Sequence, residues 1–154
     1  MSRVADVLSH KGREVHTVER ETTAFEALEK MVRHNVGALV VTENDATVGI
    51  FTERDFLRRV VLQGRDPKVT RVREVMSERL VCTDPDRSVE DCMAVMTQER
   101  VRHLPVVASG RLAGIVSIGD VVRHLSAEHR VEIRYLTDYI TGKYPGWATD
   151  DDAH

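Results

Sequence analysis

The sequence GIFTERD, residues 49–55, returns sixty-five positions later as GIVSIGD, residues 114–120. Each stretch places a glycine and apolar residues before a hydroxyl residue, and an aspartate follows the hydroxyl by three positions. A hydroxyl and an acid at this spacing are typical of the first turn of a helix, where both side chains bond to free backbone N–H groups. Such a helix start is also a place where hydroxyl or phosphate oxygens of a ligand bind well. The recurrence therefore leaves capping and ligand binding open.

The recurrence belongs to a longer internal repeat. A constant shift of 65 places residues 15–60 over residues 80–125, and most aligned positions keep an apolar residue over an apolar residue. The identical pairs cluster around the two hairpin stretches, and they are Met31/Met96, Val36/Val101, Leu39/Leu104, Val41/Val106, Gly49/Gly114, Ile50/Ile115, Asp55/Asp120 and Arg58/Arg123. Because this period is longer than that of a solenoid repeat, it indicates two copies of one small domain.

Each copy shows the same predicted order of strand, helix, strand, strand and helix. In the first copy the strand EVHTV precedes a helix that carries Ala24, Ala27, Leu28, Met31 and Val32 at helical spacing, with Gly37 as its cap. The strands GALVVT and ATVGIFT then form a hairpin around END, and ERDFLRRVVLQG is an amphipathic helix that ends at Gly64. The matching segments of the second copy are LVCT, SVEDCMAVMTQE, RHLPVVA, RLAGIVS and IGDVVRHLS.

Domain boundaries follow from this order. One copy is too small to be stable alone, so we expect the two copies to pack their sheets together and to bury a shared apolar face. The predicted domains are residues 1–65 and residues 66–126, with RVADVLS and TRVREVM as short helical lead-ins. Residues 127–154 are predicted to form a helix and an acidic tail. One face of that helix carries Val131, Tyr135, Leu136, Tyr139 and Ile140.

Composition excludes several classes of function. The formal net charge of -3 argues against a nucleic-acid partner, and no apolar run is long enough for a membrane span or a signal peptide, so we expect a cytoplasmic protein. Cys82 and Cys92 are expected to be buried free thiols, and the seven histidines lack metal-binding spacing. No nucleophile with a base and no phosphate-binding glycine loop is present, so we expect no catalytic site.

The duplicated hairpins GALVVTENDATVGIFTERD and RHLPVVASGRLAGIVSIGD resemble those of the cystathionine-β-synthase (CBS) domain pair, also called a Bateman module. The resemblance runs from about residue 3 to about residue 126. It implies a mixed α/β fold of two βαββα units related by pseudo-twofold symmetry, with two clefts between them. It also implies that the clefts bind adenosine-containing ligands such as AMP, ADP, ATP, NAD or S-adenosylmethionine.

The resemblance also implies which residues contact such a ligand. The hydroxyl and the aspartate of the recurring stretch are expected at the ribose and the nearby phosphate, which points to Thr52 and Asp55 in one cleft and to Ser117 and Asp120 in the other. The first strand and the start of the second strand are expected at the adenine and the phosphate. The corresponding positions are Thr17, Val18, Gly37, Ala38, Cys82, Thr83, Arg102 and His103.

The two copies differ in charge at the start of the second strand. The second copy has Arg102 and His103 there, and basic side chains at this place favour a phosphate, whereas the first copy has Gly37 and Ala38 with Arg54 as the nearby cation. The alternative is that Arg102 and His103 form a solvated strand end with a partly buried histidine. Arg58 and Arg123 are expected on solvated helix faces.

Two functions remain open at this point. The first is a stand-alone sensor of adenine nucleotides that acts through an unidentified regulated protein or through its own assembly. The second is a structural or interaction protein that needs no ligand and assembles through the paired repeats and the C-terminal helix. A homodimer is expected from the apolar stripe of that helix, and the alternative is that the helix folds back on its own module.

Overall fold

The computed structural model describes residues 2–128 and contains two repeats, each built around a β-hairpin and its flanking helices. In chain order the elements are α1 (Val4–Lys11), β1 (Thr17–Glu19), α2 (Ala24–His34), β2 (Ala38–Glu43), β3 (Ala46–Thr52), α3 (Glu53–Asp55) with a following π-helical segment (Phe56–Val61), α4 (Val72–Val75), α5 (Val89–Glu99), β4 (His103–Ala108), β5 (Arg111–Ser117) and α6 (Ile118–Glu128). The predicted C-terminal helix and acidic tail fall outside the described residues. The mixed α/β fold class is confirmed.

Both predicted hairpins form with the same register. In the first repeat β2 pairs antiparallel with β3 and parallel with β1, and in the second repeat β4 pairs antiparallel with β5. Asn44 and Asp45 have φ of 51° and 64°, and Ser109 and Gly110 have φ of 52° and 74°. Two successive residues with positive φ form the tight turn that matches the twist of a two-residue hairpin. The turn residues of the sequence thus fix the register of both hairpins.

The first strand of the second repeat is shorter than predicted. LVCT forms no strand, and only Thr83 pairs in parallel with Val106. In the first repeat the N–H of Val40 donates to the carbonyl of His16 at 3.1 Å, and the equivalent position of the second repeat is Pro105. Because proline has no backbone N–H, the matching bond cannot form and the strand is reduced to one bridge.

The helix α2 ends earlier than predicted. Its left-handed cap is Asn35, with φ of 52° and an N–H that donates to Met31, whereas Gly37 lies beyond the helix and precedes β2. Asparagine tolerates the left-handed conformation almost as glycine does, and it stands two positions closer to the last helical turn. The predicted cap at Gly37 is therefore wrong. At the other end the Thr23 hydroxyl accepts the N–H of Glu26 at 3.2 Å, which satisfies one free donor.

The two lead-in segments form helices as predicted, but each packs against the other repeat. The N–H of Val4 donates to the backbone carbonyl of Arg87 at 2.9 Å. Arg3 forms a β-bridge with Ser88, the residue that caps α5. In the same way α4 follows a bridge between Arg71 and Thr23, the residue that caps α2. The N-terminal helix is thereby attached to the second repeat, and the connector to the first.

The buried apolar residues form two clusters, one for each repeat with its exchanged lead-in. One contains residues of α1, α5, β4, β5 and α6, and the other contains residues of β1, α2, β2, β3, the π-helical segment and α4. Val40, Ile50 and Pro105 are buried but belong to neither cluster. Because β2 side chains alternate between its two faces, Val40 lies opposite the core of its own repeat. This second face is the part of the sheet available for contact between the repeats.

Candidate functional site

The recurring hydroxyl and aspartate form reciprocal capping boxes in both repeats. The Thr52 hydroxyl accepts the N–H of Asp55 at 3.1 Å, and the Asp55 carboxylate accepts the N–H of Thr52 at 3.1 Å. Ser117 and Asp120 make the same two bonds at 3.1 Å and 2.8 Å. Both aspartates are buried. The capping interpretation is confirmed, and it leaves the remaining lone pairs of each carboxylate for other partners.

The starts of the paired strands lie directly beside these capping boxes. Ala38 is the register partner of Thr52, and His103 is the register partner of Ser117. The backbone carbonyls of Gly37 and Arg102 accept the N–H groups that follow the two hydroxyl residues, at 3.0 Å and 2.9 Å. The fold therefore brings the expected strand positions and the expected hydroxyl–aspartate pair together in each repeat.

The two sets of residues also meet across the repeats. A Cβ added to Gly37 would lie 3.3 Å from the Nε2 atom of His103. Burial lowers the pKa of His103 to about 4, and the nearby positive charge of Lys11 acts in the same direction. The histidine is therefore neutral at pH 7. Of the two basic side chains expected at this strand start, only the exposed Arg102 carries a charge that could meet a phosphate.

Asp120 is enclosed by two cations that the sequence pattern did not indicate. Lys11 Nζ, from the N-terminal helix, donates to Asp120 Oδ2 and to the carbonyl of Ile115 at 2.7 Å. Arg123 Nη2 donates to Asp120 Oδ1 at 2.6 Å, although its side chain is 73% exposed. Burial by itself would raise the pKa of Asp120, but the hydrogen bonds from Lys11 and from the Ser117 backbone hold it below its usual value. The carboxylate is ionised and both of its oxygens are bonded.

Asp55 has a different and more weakly charged environment. The Ser77 hydroxyl donates to Asp55 Oδ1 at 3.2 Å, and Arg59 Nε stands 3.9 Å from the same oxygen. Arg54, expected from the sequence to be the cation of this site, is exposed, and no ion pair joins it to another residue of the range 2–128. The pseudo-symmetry of the two capping boxes therefore does not extend to their charges.

The glycines of the recurring stretch make room for the exchanged lead-ins. A Cβ on Gly49 would lie 2.8 Å from the Ser77 carbonyl oxygen and 2.9 Å from Met76 Sδ, and a Cβ on Gly114 would lie 2.8 Å from Leu8 Cδ2. A side chain at either glycine would require its neighbour to move, and at Gly49 that neighbour includes backbone. The lead-ins that rest on the two glycines are the same segments that supply Ser77 to Asp55 and Lys11 to Asp120.

The other expected strand positions lie one strand away from the capping boxes. Thr17 and Val18 pair with Val40 and Val41, and the Val18 side chain belongs to the core of the first repeat. Thr83 is buried, and its hydroxyl lies 3.5 Å from the Cys92 thiol. Cys92 is buried as predicted, but Cys82 is exposed, because the shortened strand leaves it outside the sheet. A ligand beside Val18 would therefore contact the backbone of this residue rather than its side chain.

Two cavities lie beside the expected residues. One of about 460 Å³ lies between α1 and α6, and the other, of about 440 Å³, lies between β1 and α2. Both volumes are within the range of small-molecule sites. The lining residues of the first are Val7, His10, Lys11, Asp120, Arg123, His124 and Ala127. The lining residues of the second are Thr17, Val18, Glu19, Thr22, Glu26, Glu29, Lys30 and Arg33. Asp120 and Thr17 thus line different cavities.

Residues 2–128 contain neither a metal-binding cluster nor a helix that could span a membrane. That range holds no group of three or more histidine, cysteine, aspartate or glutamate side chains arranged to bind a metal ion. Its helices include none with the length and the apolar character that crossing a membrane requires.

Comparison with known proteins identifies the family. The model of the CBS domain matches residues 4–62 and again residues 72–127. The chain belongs to the CBS domain family. Each match covers one lead-in helix with the repeat that follows it in sequence. The recognition of a CBS pair from the two hairpins is confirmed.

Relatives with the same architecture come from several organisms. The CBS domain-containing protein CBSX3 of Arabidopsis thaliana, described as mitochondrial, is 41% identical over 150 residues, which cover 92% of this chain and 73% of the relative. The solved structure of a proposed signal-transduction protein with CBS domains from Burkholderia ambifaria is 41% identical and has a TM-score of 0.80 over 83% of this chain and 96% of its own. Both relatives are described by their CBS domains.

A more distant structure has bound ligands. The CBS domain pair of protein MJ0100 was solved in complex with 5′-methylthioadenosine and S-adenosyl-L-methionine. It is 22% identical to this chain, has a TM-score of 0.74 and is matched over 83% of this chain and 98% of its own. At this identity the likeness shows the shared fold alone.

Proposed function

We propose that the CBS pair is a sensor that binds an adenosine-containing ligand, AMP, ADP, ATP or NAD, in the clefts between its repeats. The observation that carries this proposal is the pair of capping boxes, each with a buried, hydrogen-bonded aspartate beside the start of a paired strand. An ionised carboxylate at a helix start can accept both hydroxyl protons of a ribose diol. The complex of MJ0100 with adenosyl compounds supports the view that this fold accommodates such a ligand.

The proposed contacts follow the two sets of residues that the fold brings together. Thr52 and Asp55 serve one cleft with the backbone of the strand start at residues 37–38, and Ser117 and Asp120 serve the other with the strand start at residues 102–103. The main-chain positions at Thr17, Val18, Cys82 and Thr83 are proposed for the adenine. The Arg54 and Arg102 side chains are exposed, and we propose that they contact phosphate groups once a ligand is bound.

The test is stabilisation of the fold by the ligand. At a ligand concentration of about 100 times its dissociation constant, binding to the folded state alone contributes about 2.7 kcal/mol. For a chain of this size that raises the melting temperature by roughly 5 to 10 °C. We expect this rise with at least one of AMP, ADP, ATP and NAD, and none with the matching bases or with inorganic phosphate. No rise with any adenosine-containing compound would refute the sensor function.

A second function is favoured by apolar residues on the surface of the first repeat. Leu57, Val61 and Leu62 follow α3 and are 57%, 53% and 76% exposed, whereas the equivalent position of Leu57 in the second repeat, Val122, is 8% exposed. In the second repeat the longer helix α1 contacts α6, the helix that carries Val122. In the first repeat the equivalent of α1 is the short helix α4. Such an uncovered apolar face supports a homodimer or a contact with a regulated protein. The CBS-CP12 protein of bloom-forming cyanobacteria, 26% identical to this chain, is a hexamer.

The location of the protein remains part of the proposal. On the basis of the sequence we propose that the protein is located in the cytoplasm. The alternative is the mitochondrion, because the Arabidopsis relative is described as mitochondrial. Fluorescent tagging at the C-terminus distinguishes the two.

A further inference from the structure

The environment of Asp120 suggests which ligands the second cleft accepts. Lys11 and Arg123 hold both oxygens of the carboxylate, and the exposed fractions of the Lys11 and Asp120 side chains are 29% and 7%. With the Ser117 N–H, Lys11 and Arg123 fill three of the roughly four acceptor positions of this carboxylate, so a ribose diol that donates both of its hydroxyl protons to Asp120 must replace at least one of these donors. Because the Lys11 side chain is only 29% exposed, solvent would compensate only in part for the loss of the carboxylate.

The chemistry of the incoming ligand decides whether that loss is compensated. Ribose hydroxyls donate protons to the carboxylate and bring no negative charge to the displaced ammonium or guanidinium group. A phosphate provides several charged acceptor oxygens, which suit both the ammonium of Lys11 and the forked donors of Arg123. A neutral adenosyl compound leaves a displaced cation without an anionic partner, and a cationic compound adds repulsion.

We propose that Lys11 and Arg123 make the second cleft selective for phosphorylated adenosine ligands over neutral or cationic adenosyl compounds. This inference rests on the proposed function and specifies the ligand class of one of its two sites. The cavity of about 460 Å³ between α1 and α6 is lined by both cations together with Asp120, and it provides space for a phosphate beside them. His10 and His124 line the same cavity.

Among residues 2–128, the first cleft has no equivalent of this arrangement. Asp55 is bonded to the neutral Ser77 hydroxyl, and Arg59 is 3.9 Å away and half exposed. A shift of 68 residues relates the lead-ins and places Arg79 at the position of Lys11. Arg79 instead pairs with Glu99 and is 76% exposed. We therefore expect the affinity difference between adenosine and its phosphates to be smaller in the first cleft than in the second.

Calorimetric titration with AMP and with adenosine tests the selectivity, because the two ligands differ only by the phosphate. An Asp55→Asn background weakens binding to the first cleft, so that the second cleft dominates the titration. In that background we expect AMP to bind about 10-fold or more tightly than adenosine. Lys11→Met should reduce this ratio several-fold, by weakening AMP and strengthening adenosine, and the matched control Arg79→Met should leave it unchanged.

The possible outcomes separate the inference from the proposed function. An AMP-to-adenosine ratio that stays the same in Lys11→Met, or that is near one in the parent protein, overturns the selectivity while the sensor function stands. No binding of AMP or adenosine to the wild-type protein overturns the selectivity, and the sensor function falls with it only if ADP, ATP and NAD also fail to bind. If Lys11→Met does not fold, Lys11→Gln keeps a hydrogen-bond donor without the charge, and the same reduction in ratio is expected from it.

Discussion

Replacing Asp120 by asparagine should destabilise the ligand-free protein far more than the same replacement of Asp55. Asparagine keeps an oxygen for the Ser117 N–H, so the capping bond at 2.8 Å can persist. It removes the negative charge that Lys11 and Arg123 share, and the Lys11 side chain is only 29% exposed. Removing one partner of a fully buried ion pair costs about 3 to 5 kcal/mol, and partial exposure reduces this to about 2 kcal/mol.

At Asp55 the same change meets a hydroxyl instead of a lysine. The Ser77 hydroxyl can reorient and donate to the asparagine oxygen, and Arg59 at 3.9 Å is half exposed, so its attraction to the carboxylate is weak. We therefore expect Asp55→Asn to reduce the free energy of unfolding by less than about 1 kcal/mol. The comparison is informative because both aspartates make the same capping bonds and are equally buried.

Urea unfolding of the wild-type protein and the two variants, without ligand and followed by circular dichroism, measures the difference directly. A double variant with Lys11→Met should lose less than the sum of its single changes, because both remove the same ion pair. Equal losses for Asp120→Asn and Asp55→Asn, or full additivity with Lys11→Met, would show that the Lys11 contact contributes nothing to stability. The reasoning about the second cleft would then lose its basis.

Three further outcomes are expected. Gly49→Ala should destabilise by about 1 to 3 kcal/mol in thermal unfolding, and Gly114→Ala by less, because its clash is with a movable leucine side chain and that of Gly49 is partly with backbone; equal and negligible effects would refute the close approach of the lead-ins. His103 has a folded-state pKa of about 4, below its unfolded value, so stability should fall by up to about 3 kcal/mol as the pH drops from 6.5 to 4, and His103→Asn should lose this pH dependence. Light scattering should give twice the monomer mass of 17.4 kDa for the wild-type protein and a smaller mass after Leu57→Lys with Leu62→Lys; a monomeric wild type contradicts the dimer.

The sequence by itself determined most of the local structure of both repeats, apart from the cap of α2 and the first strand of the second repeat. Apolar periodicity located the helices, Asn44–Asp45 and Ser109–Gly110 fixed the hairpin turns, and the hydroxyl–aspartate spacing fixed the capping boxes. These features depend on residues within a few positions of one another, where spacing alone sets the geometry. The resemblance to a CBS pair added the family, which the comparisons confirm.

Only the tertiary structure decided which lead-in joins which repeat, and with it the charge of each site. Lys11 meets Asp120 across more than a hundred residues, and Ser77 meets Asp55, because the N-terminal helix packs on the second repeat and the connector on the first. A periodic pattern shows that a helix has an apolar face but not which of two similar cores receives it. The exchange, together with Arg123 on the helix of Asp120, makes two nearly identical motifs chemically different.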